Sequence, residues 1–166
     1  MIPLTYRIAK TADLNSIIDL YNVARTAGKQ NGSCDWTTDY PNMDIINSDI
    51  QGECLFLVFN KCELIGAFTL LDTDDLDNEP LDWKPVKSCV PVRICVSPEQ
   101  QGKGFGALIM KHIIDLAKSK GYQSLRLLAS LTNTAANALY SKIGFINKGT
   151  LHLYNNEYNA YEYLIY

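Results

Sequence analysis

Apolar positions recur along this chain with two spacings, one of about 3.6 residues and the other of two residues or a short unbroken run. The first spacing predicts amphipathic helices at 14–24, 41–50, 107–119 and 133–143. The second predicts strands at 6–8, 55–59, 64–71, 90–96, 124–128, 145–152 and 158–166. The long stretches 27–40 and 72–87 are rich in polar residues, glycine or proline and are predicted to be loops.

Capping and turn residues mark the ends of several of these elements. Thr11 or Asp13 can cap the first helix, and Asn133 can cap the fourth. Gly121 follows the third helix, where a left-handed residue commonly ends a helix. Asn60 and Lys61 separate two apolar strands, which is typical of a hairpin turn.

The element order is strand, two helices, and then strands with two crossover helices, which indicates one α/β (α+β) domain over residues 1–166. A chain of 166 residues buries roughly two thirds of its unfolded surface in one core. Its apolar stretches are far shorter than a membrane span, and residues 1–7 do not resemble a secretory signal. We therefore expect a soluble, cytoplasmic protein with no membrane partner.

Charge and cysteine usage exclude other partners. A formal net charge of −3 with scattered lysines provides no field that attracts nucleic acid. The five cysteines include no C-x-x-C pair, and only His112 and His152 could assist them as metal ligands. We expect reduced thiols, no metal and no nucleic-acid partner.

Residues 101–106, which we call the glycine loop, join the apolar strand 90–96 to the third helix. They are Gln101, Gly102, Lys103, Gly104, Phe105 and Gly106. A strand that passes through glycines into a helix N-terminus directs free backbone N–H groups and the positive end of the helix dipole toward one point. Glycine allows an anion to approach the backbone closely and permits positive φ. The glycine loop is therefore a predicted phosphate site.

Two kinds of phosphate loop fit this run poorly. A nucleotide P-loop has a hydroxyl residue after its lysine, but Lys103 is followed by Gly104. A dinucleotide loop is formally present at Gly102, Gly104 and Ala107. It should be followed by a strand that ends in an acid, which binds the ribose, and residues 129–130 are alanine and serine.

A third pattern, Q/R-x-x-G-x-G/A, is filled by Gln101, Gly104 and Gly106. Here the sequence resembles the GCN5-related N-acetyltransferase (GNAT) superfamily. A second match supports the resemblance, because residues 133–145 read N-T-A-A-N-A-L-Y-S-K-I-G-F and are similar to the family signature N-x-x-A-x-x-L-Y-x-K-x-G-F. The two signatures are separated by one predicted helix and one predicted strand.

The resemblance implies acetyl-CoA as the cofactor. In the family, the glycine loop holds the pyrophosphate, and the pantetheine arm lies where two central strands separate. Ile94, Cys95 and Val96 correspond to that strand position, where a backbone N–H would polarise the thioester oxygen. Asn133 and Asn137 correspond to further cofactor contacts. The alternative is a buried strand with nothing bound.

Tyr140 corresponds to the family tyrosine beside the CoA sulfur and is the candidate general acid. Its ordinary pKa of about 10 exceeds that of a thiol, near 8.5, so it can stay protonated and supply the departing thiolate. The alternative is a core aromatic, since Leu139 and Ile143 share its apolar stripe. Cys95 is more typical of an inert strand thiol than of a nucleophile, and His112 of a partly buried histidine.

The general base and the acceptor site have no motif. Glu79 and Asp82 are positional candidates for the base, because the family often uses a carboxylate near the start of the central strand. They belong to the acidic loop, residues 72–87, whose acids rim the acceptor site or form a solvated face. Three loop aromatics are candidates for a wall of the acceptor site: Trp36, Tyr40 and Trp83. Acids together with aromatics suit a cationic amine.

The resemblance predicts a central, mixed and strongly twisted sheet of about six to seven strands flanked by about four helices. The hypothesis is an acetyltransferase that moves the acetyl group of acetyl-CoA to a primary amine by direct attack in a ternary complex. The acceptor is a small molecule or a peptide, and a homodimer agrees with family habit. Two alternatives remain, a non-catalytic acyl-CoA-binding domain of the same fold and a nucleotide-binding oxidoreductase.

Overall fold

A single seven-stranded sheet forms the centre of the computed structural model, which describes residues 4–166. Residues 1–3 of the N-terminal stretch considered above lie outside it. The strands are β1 Thr5–Ile8, β2 Leu55–Asn60, β3 Glu63–Leu71, β4 Ser88–Val96, β5 Ser124–Ser130, β6 Ile146–Leu153 and β7 Asn156–Leu164. The helices are α1 Leu14–Gln30, α2 Met43–Gln51, α3 Phe105–Ser119 and α4 Thr134–Ile143. The predicted α/β (α+β) class is confirmed.

The strand order is β1-β2-β3-β4-β5-β7-β6, and within the described residues only the β4–β5 pair is parallel. The two central strands pair only at their beginnings, through Ser88 with Ser124 and Cys89 with Leu125. Beyond Cys89, β4 continues along β3 while β5 continues along β7. The space between the diverging strands, which we call the strand gap, is the main feature that the fold provides for a site.

A bulge in β4 accompanies this divergence. Val92 lies opposite Thr69 and Cys95 lies opposite Ala67, so three steps along β4 match two steps along β3. Arg93, inside the bulge, has a φ of 52°. Bulges of this kind bend a strand and increase its twist. The bend is consistent with β4 leaving β5 after two paired residues.

Helices cover both faces of the sheet. In β2, Phe56 and Val58 point into the core under α3 and α4, whereas Leu55 and Leu57 point into the core under α1 and α2. Alternate side chains of a strand point to opposite faces. Because both faces are covered, β2 is an unbroken apolar run and not an alternating one.

Three helix boundaries differ from the sequence prediction by two or more residues, and one of them is the start of α2, which lies at Met43 and not at residue 41. Helix α1 continues to Gln30, although residues from 27 were predicted to be loop. The loop after α1 packs directly on Gly28, where an added Cβ would overlap the Cβ of Cys34, so glycine is required there by packing. Helix α3 begins at Phe105, two residues before the predicted start, which places Phe105 and Gly106 in its first turn. The predicted cap by Asn133 and the positive φ of Gly121 after α3 are confirmed.

Candidate functional site

The glycine loop presents a row of free backbone donors at the start of α3. Within residues 4–166, no acceptor receives a hydrogen bond from the backbone N–H groups of residues 102–107. Gly104 is the N-cap of α3, has a φ of 84° and supplies no capping side chain. Gly102 has a φ of 73°, and a Cβ added at either glycine would meet nothing within 4 Å. Free donors and open space at a helix N-terminus are the features that an anion site requires.

Side chains around the loop fix its position against the sheet and α4. The Gln101 amide donates to the Val96 carbonyl at 3.1 Å, which ties the loop to the end of β4. Lys103 is exposed and donates to Gln100 at 3.1 Å. A Cβ added at Gly106 would lie 3.3 Å from Leu139, so the close contact of α3 with α4 depends on this glycine.

The strand gap opens beside this loop. Ile94 and Val96 are partly buried against the core under α3 and α4, and Cys95 faces the other core with 7% exposure. Burial raises the pKa of Cys95 to about 12, so the thiol is neutral near pH 7. A neutral buried thiol is a poor nucleophile, which supports the inert interpretation of Cys95.

Tyr140 lies on the buried side of α4. Its ring centroid is 5.5 Å from that of Phe145 and 5.8 Å from that of Tyr161. Among the described residues, none forms a hydrogen bond with its hydroxyl group. Burial, together with Tyr161, raises the pKa of Tyr140 to about 12. The ring therefore packs in the core, as the alternative interpretation expected, while the phenol keeps a proton and a free donor.

The two asparagines of the second signature make protein contacts. The Asn133 side chain accepts from the Ala136 N–H at 3.1 Å and caps α4. The Asn137 amide donates to two carbonyls and accepts from two side chains, with distances of 2.8 to 2.9 Å. Its four partners are the carbonyls of Ser130 and Asn133 and the side chains of Asn159 and Tyr161. Asn137 thus fixes α4 against β5 and β7, with no position of its amide left for a ligand.

A cavity of about 250 Å³ lies between the acidic loop, Leu128 of β5 and the β6–β7 turn. Its lining residues are Asp74, Asp75, Leu76, Glu79, Leu128, Leu153 and Tyr154. Glu79, a candidate base, is among them, whereas Asp82 is not. Tyr154 is largely exposed, and partial desolvation together with the nearby carboxylates of Asp74 and Asp75 raises its pKa. The cavity therefore combines negative charge with an aromatic side chain.

Other acids of the acidic loop are bound to the protein. Asp77 pairs with Arg126 at 2.6 Å, and Asp72 accepts a hydrogen bond from the Tyr122 hydroxyl. The Asp82 side chain is 92% exposed and lies 3.6 Å from Lys148. The indole of Trp83 lies 5.1 Å from the Arg126 guanidinium. These contacts attach the loop to β5 and β6. Within residues 4–166, the cavity acids Asp74, Asp75 and Glu79 form no ion pair, although the Asp74 carboxylate accepts from the Leu76 N–H.

Trp36 and Tyr40 form a second aromatic group with Tyr21. The ring of Trp36 lies 5.7 Å from Tyr21 and 6.0 Å from Tyr40, and it packs on the core under α1 and α2. The Tyr40 hydroxyl accepts from Arg93 at 3.2 Å. The structure thus places these two predicted acceptor residues next to the β4 bulge.

Sequence reasoning missed two residues of this region, Arg93 and Asp49. The sequence contains a clue to each residue, since a charged residue in an apolar position indicates a buried polar contact. Arg93 lies inside an apolar strand, and Asp49 lies next to Ile46 and Ile50 on the apolar face of α2. It also missed the hydrogen bond from the Tyr158 hydroxyl to Asp35, which joins β7 to the loop after α1.

Residues 4–166 contain no group of three or more histidine, cysteine, aspartate and glutamate side chains that could hold a metal ion. In the same range, none of the helices has the length and apolar character needed to cross a membrane.

Comparison with known proteins gives a family match over most of the chain. The model of the acetyltransferase (GNAT) family matches residues 15–145. Over 58 residues, the chain is 38% identical to the ribosomal protein bS18-alanine N-acetyltransferase of Salmonella typhimurium. That alignment covers 35% of this chain and only 38% of the relative's length.

Solved structures share the fold over nearly the whole chain. An acetyltransferase of the GNAT family from Streptococcus agalactiae has a TM-score of 0.86 at 20% identity, covering 97% of this chain and 95% of its own. The ribosomal-protein-S18-alanine N-acetyltransferase from Escherichia coli has a TM-score of 0.73 at 20% identity, covering 98% and 94%. At these identities the likeness concerns the fold, and it confirms the sheet and helices that the resemblance implied.

Proposed function

Because the chain belongs to the acetyltransferase (GNAT) family, we propose that it moves the acetyl group of acetyl-CoA to a primary amine. The observation that carries this proposal is the row of free N–H groups at residues 102–107, which ends beside an unpaired stretch of β4. A pyrophosphate needs the first feature, and an extended amide-bearing arm needs the second. Acetyl-CoA supplies an activated thioester to such a site.

The glycine loop and β4 have separate tasks in binding. The free N–H groups of the glycine loop and the start of α3 hold the pyrophosphate, while Gln101 braces the loop through the Val96 carbonyl. The pantetheine arm pairs with the free edge of β4 in the strand gap, near Ile94, Cys95 and Val96. A backbone N–H of this segment polarises the thioester carbonyl as negative charge develops on its oxygen.

Acetyl transfer then proceeds by direct attack. The nitrogen lone pair of the amine forms the C–N bond, the C–S bond breaks, and the amine loses a proton. Tyr140 donates its proton to the departing thiolate and is reprotonated from solvent. Its pKa of about 12 keeps the donor form present at neutral pH. The neutral, buried Cys95 thiol argues against a two-step route through an acetyl-enzyme.

The acceptor enters through the cavity beside the acidic loop. Three carboxylates line it, from Asp74, Asp75 and Glu79, and they raise the local concentration of cationic amines. Glu79 is our candidate for the base that takes the amine proton, since Asp82 is exposed and lies outside the cavity. Small amines and peptide N-termini both fit this description. With acetyl-CoA as donor and all five cysteines free, we place the reaction in the cytoplasm.

Release of free CoA thiol during incubation with acetyl-CoA and a panel of amines tests the proposal. We expect thiol release that depends on an amine and saturates with it. Tight CoA binding without release for any amine would instead indicate an acyl-CoA-binding domain. Fluorescence quenching or enhancement of NADH on titration would favour the oxidoreductase alternative.

A further inference from the structure

Arg93 holds an unusual backbone conformation at the centre of the molecule. Its φ of 52° lies in the left-handed region, although it is not a glycine and sits inside a strand. Non-glycine residues rarely adopt this conformation, and they keep it only where their surroundings enforce it. The contacts of Arg93 therefore indicate what enforces it.

The Arg93 side chain is held from α2 and from the loop that precedes it. Its Nε and Nη2 donate to the two carboxylate oxygens of Asp49 at 2.8 and 2.7 Å, which is a bidentate ion pair. Its Nη1 donates to the Tyr40 hydroxyl at 3.2 Å. The pair is buried, with side-chain exposures of 9% for Arg93 and 8% for Asp49. A bidentate guanidinium fixes orientation as well as distance.

The other groups at the bulge are also held. Asp49 accepts a further hydrogen bond from the Thr69 hydroxyl of β3 at 2.7 Å. The backbone carbonyl of Arg93 accepts from the Tyr21 hydroxyl of α1 at 3.2 Å. We call Asp49, Arg93, Tyr40, Tyr21 and Thr69 the Arg93 network. It joins α1, α2, β3 and the loop before α2 to one residue of β4.

The residues that follow Arg93 are the ones predicted to face the thioester. Ile94 and Cys95 come next in the chain, so their N–H directions depend on the torsion angles of Arg93. On the other side β3 lies close, since a Cβ at Gly66 would be 2.7 Å from the Cys95 carbonyl oxygen. β4 is thus fixed against β3 and free toward β5, and the Arg93 network sets the direction of its free edge.

We propose that Asp49 and Arg93 are positioning residues, which hold the β4 bulge so that a backbone N–H points at the thioester oxygen. Tyr40 connects this arrangement to the loop before α2. The inference rests on the proposed function. It predicts an effect on carbonyl polarisation and turnover, and little effect on CoA affinity, because the glycine loop binds the pyrophosphate separately.

The test compares four variants that alter the network to different degrees. Arg93→Met and Asp49→Asn remove the ion pair, while Tyr40→Phe and Tyr21→Phe each remove a single hydroxyl. Tyr122→Phe is the matched control, because it also removes one tyrosine hydroxyl that hydrogen-bonds, here to Asp72, away from the bulge. For each protein we would measure CoA affinity by calorimetry, kcat, KM for acetyl-CoA, and the ¹³C carbonyl shift of bound [1-¹³C]acetyl-CoA.

The expected result is a loss of carbonyl polarisation and turnover with little loss of CoA affinity. Arg93→Met should lower kcat by at least about tenfold, keep CoA affinity within about threefold and move the carbonyl signal toward that of free acetyl-CoA. Tyr40→Phe and Tyr21→Phe should change kcat and the carbonyl signal in the same direction as Arg93→Met, but by a smaller amount. If the ion-pair variants do not fold, these two variants decide the test. Tyr122→Phe should match the wild type.

Two different failures are distinguishable. If folded variants of the Arg93 network show wild-type carbonyl signals and wild-type kcat, the positioning role is overturned. Equal losses of CoA affinity and kcat, with an unchanged carbonyl signal, would also overturn it, because they indicate a general structural role. If the wild-type protein itself binds no acetyl-CoA, that result contradicts the proposed function and not specifically the positioning role of Asp49 and Arg93.

Discussion

The ring of Tyr140 lies 5.8 Å from the ring of Tyr161 with an angle of 61° between them. The Tyr161 hydroxyl is bound to Asn137 at 2.9 Å, so it does not compete for the Tyr140 hydroxyl. Asn137 in turn joins α4 to β5 and β7. The second signature therefore holds the candidate acid in place while its phenol remains a free donor.

Replacing Tyr140 with phenylalanine keeps the ring and its packing and removes the proton donor. We expect kcat to fall by about 100-fold or more, with little change in the KM for acetyl-CoA. Steady-state kinetics at saturating acceptor measure this. Tyr161→Phe is the control, because it removes a neighbouring hydroxyl that binds Asn137, and we expect it to lower kcat far less. Activity of Tyr140→Phe within a factor of two of the wild type would exclude the phenol as the acid.

The pH dependence of kcat follows from the pKa of Tyr140. Burial raises this pKa to about 12, so the donor form is present below that pH and is lost only as pH rises through it. An unshifted phenol would be half ionised at about pH 10. We therefore expect kcat at saturating substrates to show no decline between about pH 8 and pH 10. A fall of kcat with a midpoint below pH 10, absent from Tyr140→Phe, would show that the phenol ionises earlier.

Gly104 offers a test of the glycine loop with a close control. Gly104→Val places a Cβ at a φ of 84° in the open space where the pyrophosphate would lie. CoA affinity should fall more than tenfold, or more than about 1.4 kcal/mol. Gly121→Val introduces the same side chain at a φ of 78°, also in open space, at the far end of α3. Both variants should lose comparable stability, about 1 to 3 kcal/mol from backbone strain.

Only Gly104→Val should lose CoA affinity. Calorimetric titration of both folded variants measures this difference. Equal CoA affinities of the two variants would contradict the phosphate site.

The acceptor cavity can be tested by removing its charge. Asp74→Asn, Asp75→Asn and Glu79→Gln together should raise the KM for a cationic amine, lower kcat because Glu79 is the candidate base, and leave the KM for acetyl-CoA unchanged. Asp77, which the sequence grouped with these acids, is left intact because its ion pair with Arg126 attaches the loop. The effect should weaken as salt increases, since exposed charges are screened beyond about 8 to 10 Å.

A control with the same change in net charge separates local from general electrostatics. It combines Asp19→Asn, Asp44→Asn and Glu53→Gln, three exposed acids remote from the cavity lining. We expect wild-type kinetics from it. If the cavity variant also behaves like the wild type at low salt, the acidic loop is a solvated face and the acceptor does not depend on its charge.

Much of the fold could be predicted because its signals are local. The helical stripes of α1 to α4, the cap at Asn133 and the glycines before α3 depend on short spacings in the sequence. The interactions that sequence reasoning missed are long-range. Arg93 and Asp49 are 44 residues apart in the chain. Their ion pair could not be predicted from either residue, because it forms only when the sheet and α2 bring the two side chains together. The hydrogen bonds that the Asn137 amide accepts come from side chains of β7, so they also could not be predicted from the local sequence.

Transfer of a labelled acetyl group distinguishes direct attack by the amine from a route through an acetyl-enzyme. The protein is incubated with [²H₃]acetyl-CoA and an amine that supported release of CoA thiol in the amine panel. Both the amine and the intact protein are then analysed by mass spectrometry. Direct attack predicts one labelled acetyl group on the amine for each CoA released and none on the protein at any time. A labelled acetyl group on Cys95 would contradict direct attack, and CoA release without an acetylated amine would contradict N-acetyl transfer itself.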